Sequence, residues 1–361
     1  MIARILLKNG TILEGISVGA SGTAFGEICA TSASTGYQEI LTDPSFAQKA
    51  VVMTYPEIGN YGINSENIEN DKIFPSALIM KNYCQEDSHY KSKQTLSNYL
   101  KENNIVAISN IDTRYIATLI REEGSMPCLV TTEKITEKLK KELENWQPDK
   151  DIAKKASQNK KYRIEGSKHK IAIIDLGLKR SILQNLIDLD CDIYVYPADV
   201  SATELLECGP DAVLLSNGPG NPLDATEAIE TTKAILRKVP LYGIGLGYQI
   251  LGILTGAKIK KLKFGHYGNN YPIMDVMTQK VILTTQNHSY AIDINSLPDN
   301  AFATHQNLND ATMEGFCCPA LSIEAIQFHP EVTATQTDAT GVFARWMEQI
   351  EGFKICRNMQ L

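Results

Sequence analysis

Lys170-Ile-Ala-Ile-Ile-Asp-Leu176 is apolar on both faces of an extended chain, the pattern of a parallel strand covered on both sides by helices. The residues that follow repeat that pairing. A helix over 179–188 leads to a strand at Asp192-Ile-Tyr-Val-Tyr196, a helix over 203–207 and a strand at Asp211-Ala-Val-Leu-Leu215. A longer helix over 225–237 reaches Pro240-Leu-Tyr-Gly-Ile244, and Tyr248-Gln-Ile-Leu-Gly-Ile-Leu254 forms the next helix. This alternation predicts a doubly wound α/β domain over 170–361, with its ligand at the C-terminal ends of the strands.

Two glycine-rich loops fall at such strand ends. Ser216-Asn-Gly-Pro-Gly220 follows one strand, and its glycines let backbone N–H groups come close to a ligand. Gly243-Ile-Gly-Leu-Gly247 lies between a strand and a helix, the layout of a nucleophile elbow, where a strained central residue projects its side chain above the sheet. Here that central residue is Gly245. As a dinucleotide loop the segment fits poorly: its third glycine comes one residue early, it follows the fourth strand of the unit, and the downstream Lys258-Ile-Lys-Lys-Leu-Lys263 is basic rather than acidic. The other reading is an elbow without a nucleophile. Ala325-Ile-Gln-Phe-His-Pro-Glu331 favours it, because a strand ending in His329 with Glu331 two residues on supplies a base and its orienter.

The 361 residues suffice for two domains and a sizeable core, with 43% apolar and 21% charged residues. A net charge of −7 argues against a chain that grips nucleic acid or an anionic membrane over a broad surface. No apolar run approaches a spanning length, and the N-terminus is too soon interrupted to be a signal peptide, so a cytoplasmic chain is expected. The eight cysteines form no Cys-x-x-Cys and no metal-ligand spacing, which points to reduced, buried thiols and no metal site.

The first 148 residues read as a mixed α+β domain. Arg4–Gly10, Lys49–Thr54 and Asn104–Ser109 read as strands, and Asp112-Thr-Arg-Tyr-Ile-Ala-Thr-Leu-Ile-Arg121 as a helix with an aspartate cap. A charged helix covers 135–145. From 149 to 169 the chain reads as a basic, solvated linker; counted to Lys170 it holds eight Lys/Arg against three Asp/Glu.

With these segments in view, the chain resembles the small, glutamine-hydrolysing subunit of carbamoyl phosphate synthetase almost end to end. The N-terminal half carries Gly36-Tyr-Gln-Glu-Ile-Leu-Thr-Asp-Pro-Ser45, Thr54-Tyr-Pro-Glu-Ile-Gly-Asn-Tyr-Gly62 and Asp112-Thr-Arg114. The C-terminal half carries Gly177-Leu-Lys-Arg180, Leu215-Ser-Asn-Gly-Pro-Gly220, Gln286-Asn-His-Ser289, Asn307-Leu-Asn-Asp310 and Phe328-His-Pro-Glu331. Other class I glutamine amidotransferases share only the second half. The resemblance implies a Cys–His–Glu triad that releases ammonia from L-glutamine and passes it to a large subunit. That subunit uses ATP and magnesium to make carbamoyl phosphate for pyrimidine and arginine synthesis. No cofactor is implied for the small subunit itself.

Carried over residue by residue, the resemblance makes His329 the base and Glu331 its orienter. Oxyanion and glutamine contacts fall on Gly218, Gly220 and Leu246, with Gln249, Asn287, Ser289, Tyr290 and Ser45 completing the pocket. The departures lie at the centre. The family's Gly-Ile-Cys-Leu-Gly-His-Gln is Gly243-Ile-Gly-Leu-Gly-Tyr-Gln249 here, so Gly245 occupies the nucleophile position and Tyr248 that of the next histidine. Ser289 stands for a glycine, and Tyr267 and Tyr271 for histidines. Without a thiolate no γ-glutamyl thioester forms, and glutaminase activity is expected to be lost or severely impaired. Three readings of Gly245 remain open: a non-hydrolysing partner subunit, a glutamine-binding regulatory or scaffold homologue, and an engineered Cys-to-Gly form of an active enzyme.

Overall fold

The computed structural model describes residues 1–331, 339 and 341–358. They fall into two units, Met1–Asp149 with Lys263–Gly268, and Lys150–Leu262 with the chain from Asn269 onward.

The first unit holds strands β1 (Ile2–Leu7), β2 (Ile12–Ser17), β3 (Thr23–Thr31), β4 (Lys49–Met53), β5 (Glu57–Ile58), β6 (Ala77–Ile79), β7 (Asn82–Tyr83), β8 (Val106–Ser109) and β9 (Pro127–Thr131). Its helices are α1 (Tyr37–Thr42), α2 (Leu96–Glu102), α3 (Thr113–Glu123) and α4 (Glu137–Asn145). Seven strands close into a barrel in the order β1-β2-β8-β6-β4-β3-β9, and β5 pairs separately with β7. Closure leaves those seven strands without an open edge. The barrel wall is apolar on both sides, since neighbours along β4 enter different clusters: Val51 packs with Leu41 and Leu78, and Val52 with Ile28 and Ile79. The expected cap on α3 is present, with the Asp112 carboxylate accepting from the Tyr115 N–H at 3.0 Å.

In the second unit α5 (Ile152–Ala156) and β10 (Tyr162–Ile164) precede β11 (Lys170–Asp175), α6 (Arg180–Asp188), β12 (Asp192–Pro197), α7 (Ala202–Glu207), β13 (Ala212–Leu215), α8 (Thr226–Ile235), β14 (Leu241–Ile244) and α9 (Leu246–Thr255). Then come β15 (Ile259–Asp275), β16 (Val281–Ile292), β17 (Phe302–Asn307), β18 (Met313–Cys318), β19 (Ile323–Ile326) and α10 (Val342–Asn358). The sheet order is β10-β12-β11-β13-β14-β19-β18-β17-β15-β16. Strands β12, β11, β13, β14 and β19 run parallel, as the apolar runs predict. The region between α9 and β19, whose strands alternate less cleanly, extends the sheet with an antiparallel section.

One expectation is corrected. The basic stretch 149–169 is not a solvated linker: from Lys150 it belongs to the second unit. Ala153 and Ala156 of α5 are buried, and β10 adds an antiparallel edge strand to β12. Its cations meet acidic groups far along the chain, Lys154 with Asp199 at 2.9 Å, Lys161 with Glu204 at 2.8 Å and Arg163 with Asp192 at 2.7 Å. A local charge count misses partners that only the fold supplies. Among the described residues no helix is long and apolar enough to cross a membrane.

Candidate active site

Four loops meet at the C-terminal ends of the adjacent parallel strands β11, β13, β14 and β19. Their backbones are tied to one another. The Gly245 N–H donates to the Ile326 carbonyl at 3.0 Å, the Gly247 N–H to the Ser216 carbonyl at 3.1 Å, and the Ser216 hydroxyl accepts from the Leu176 N–H at 2.9 Å. Asp175 shapes the loop after β11 by accepting from the N–H groups of Gly177 at 2.8 Å and Leu178 at 2.7 Å.

Gly245 is the turn between β14 and α9, with φ +57° and ψ −108°. An L side chain adopts that conformation only under strain, and glycine adopts it freely. The elbow read from the sequence is therefore present in shape. A Cβ built on Gly245 would lie 3.5 Å from Asn217 Cβ and 3.9 Å from the Gln327 carbonyl, ordinary contact distances, so the turn has room for a side chain it does not carry. Leu246 opens α9, in the first turn, where backbone N–H groups have no partner within the helix. Gly218 lies against it: a Cβ there would stand 3.0 Å from Leu246 Cδ2 and 2.2 Å from the Leu176 carbonyl. Gly220, the other glycine of that loop, has φ +98°.

His329 follows β19 and is bridged to Thr285 of β16. Its Nδ1 is 3.1 Å from Glu331 Oε1, an ion-pair separation, but is not aligned as a hydrogen bond. Lys179, in the N-cap position of α6 on the loop after β11, places Nζ 2.6 Å from the same Glu331 oxygen. The side chains of Lys179 and Glu331 are only 4% and 0% exposed. Burial alone would raise the Glu331 carboxyl, but Lys179 and then His329 outweigh it and hold the group well below the usual glutamate range. The Lys179 N–H also donates to Asn217 Oδ1 at 3.2 Å, linking the ion pair to the residue that faces Gly245.

Lys179, Asn217 and Gln327 were not singled out from the sequence. Their signal was position, since each lies at or just beyond the C-terminal end of a parallel strand. Gln249 of α9 donates through Nε2 to the Tyr290 carbonyl at 3.0 Å and to Gln327 Oε1 at 2.9 Å, which brings two of the expected pocket residues together. Asn287 and Ser289 lie with Tyr290 on β16, whereas Ser45 belongs to the first unit, in the turn Pro44–Phe46 after α1. His288 bonds locally to the Tyr290 carbonyl at 2.8 Å. Tyr248 is fully buried, with its hydroxyl on the Met313 carbonyl at 2.9 Å and its ring against Phe316. None of the described cysteines lies on the elbow, and burial pushes the Cys29 thiol up to about 12 and that of Cys191 to about 11, as inert thiols require.

Residues 5–130 match the carbamoyl-phosphate synthase small chain domain, and residues 172–348 match glutamine amidotransferase class-I. The carbamoyl phosphate synthase small chain of Clostridium perfringens is 39% identical over 349 residues, covering 96% of this chain and 99% of that one. The pyrimidine-specific small chain of Bacillus subtilis is 38% identical over 364 residues, covering 99% and 100%. The Vibrio cholerae small chain is 39% identical over 374 residues, covering 98% and 99%. Matched along nearly its whole length by such proteins, this chain belongs to the carbamoyl phosphate synthase small chain family and carries a class I glutamine amidotransferase domain.

Proposed function

We propose that this chain is the small subunit of a carbamoyl phosphate synthase whose pocket holds L-glutamine but releases ammonia from it very slowly or not at all. The observation that carries the reading is Gly245, set at the elbow in the strained conformation of a nucleophile and without a nucleophilic atom. His329 acts as the base, Glu331 orients it, and the N–H groups of Gly218, Gly220 and Leu246 receive the carbonyl oxygen of the ligand. Gln249, Asn287, Ser289 and Tyr290 complete the contacts to glutamine. The large subunit carries the ATP and magnesium chemistry and draws on free ammonia, feeding pyrimidine or arginine synthesis. In serine-protease triads, loss of the nucleophile costs about 10⁶-fold in kcat, which sets the scale of the expected deficit.

Gly245 does not stand alone as a departure. Tyr248 is fitted into the core by its own hydrogen bond and ring contact, which supports natural divergence over a single engineered change. The test is reconstitution with the large subunit. Carbamoyl phosphate is expected from ammonia and not from glutamine, and Gly245→Cys is expected to restore use of glutamine. Glutamate release by the unsubstituted chain at the rate of the Gly245→Cys variant overturns the proposal.

A further inference from the structure

A triad amidase works in two halves: the nucleophile takes the acyl group, and water then removes it with the histidine as base. Gly245 removes the side chain that would take the acyl group and leaves the neighbouring side chains and loops of the site in place. His329 directs Nδ1 toward Glu331 at 3.1 Å, leaving Nε2 on the opposite side of the ring. Lys179, at 2.6 Å, is the largest favourable influence on the Glu331 charge, with His329 next. The N–H of Leu246 and the loop of Gly218 stand beside the elbow, where a Cβ on Gly245 would meet nothing closer than 3.5 Å.

We propose that this chain hydrolyses preformed γ-glutamyl thioesters, with a water molecule taking the place of a side chain at Gly245 and His329 as its general base. The γ-glutamyl specificity rests on the glutamine pocket proposed above. In the step, the water oxygen bonds to the acyl carbon while His329 Nε2 takes its proton. The carbonyl oxygen carries the charge against the backbone N–H groups; the C–S bond then breaks, and the imidazolium proton passes to the departing sulfur. The products are glutamate and a free thiol, and nothing is oxidised or reduced. A thiolate leaves readily near neutral pH, because an ordinary thiol has a pKa of about 8.5. The amide of glutamine offers no comparable leaving group, so the same site leaves it intact.

The purified full chain is given the γ-benzyl thioester of L-glutamate, and released glutamate is measured against the uncatalysed rate. His329→Gln is expected to lower the rate about 100-fold, within the usual range for general-base catalysis. Equal rates for the two proteins overturn the proposal. The unsubstituted chain alone supplies a second reading that does not depend on a variant folding. Its rate is expected to fall in deuterium oxide, since a proton moves in the transition state, and no γ-glutamyl adduct should appear on the protein by mass spectrometry. An unchanged rate in deuterium oxide, or an adduct on any cysteine, overturns the water mechanism. Calorimetry with L-glutamine separates the two readings: binding without His329-dependent hydrolysis defeats only the hydrolysis, and absence of binding defeats the pocket assignment itself.

Discussion

Single residues decide what this site can do, and Lys179 shows how much depends on one charge. Its ammonium and the Glu331 carboxylate are both buried, so removing one leaves the other without its main partner in a medium that penalises charge. Lys179→Met is expected to destabilise the second unit by about 3–5 kcal/mol in urea unfolding at neutral pH. The double variant with Glu331→Gln should recover much of that loss; a double variant no more stable than Lys179→Met would show that packing, not charge, is the cause. Because the folded Glu331 carboxyl lies below its unfolded value, its stabilisation is full above the ordinary glutamate range and is lost as pH falls toward the folded value. His329-Pro-Glu331 was legible as a pair in the sequence. Lys179, 152 residues away, was not, because only the convergence of the loops after β11 and β19, with β13 and β14 between those strands, brings it there.

At the scale of elements, the site is a set of strand ends held in register by loops with little freedom. Gly218→Ala would drive a Cβ to 2.2 Å from the Leu176 carbonyl, so the loop after β13 must shift relative to the loop after β11. Glutamine affinity measured by calorimetry is expected to fall at least about tenfold, the loss of roughly one good hydrogen bond. A barrel helix offers a contrast. Asp112→Ala removes the α3 cap and is expected to cost about 1 kcal/mol in urea unfolding of the first unit, with no change in glutamine affinity. Both loops and the cap were readable locally, since a glycine-rich strand exit and an Asp before an amphipathic run are short-range signals. The segment 150–169 was not, because its helix and strand are stabilised by ion pairs and burial against distant residues.

Across the whole molecule, acid should act first on the second unit. Burial lowers the His305 imidazole to about 4, and Arg345 acts in the same direction against Asp275 and Glu324. The unfolded chain therefore binds this proton first as pH falls. His305 contributes full stability above its unfolded value near 6.5, and the contribution is lost as pH falls from there to about 4. That difference corresponds to about 3 kcal/mol, and His305→Gln is expected to flatten the fall in Tm between pH 7 and pH 4. A fall just as steep in the variant would assign the acid lability elsewhere. Domain organisation belongs to this scale too. A two-part chain follows from the change of pattern at Lys170, but the assignment of Lys263–Gly268 to the first unit lies outside any reading by contiguous segments. Periodicity, turn chemistry and the glycine at position 245 are properties of neighbouring residues, so the order of residues alone specifies the parallel strands and the glycine-centred turn between β14 and α9. Closure of the barrel, the antiparallel extension of the sheet and the Lys179–Glu331–His329 arrangement depend on residues far apart in the chain, and only tertiary packing, by desolvating those charges and pairing those strands, decides them.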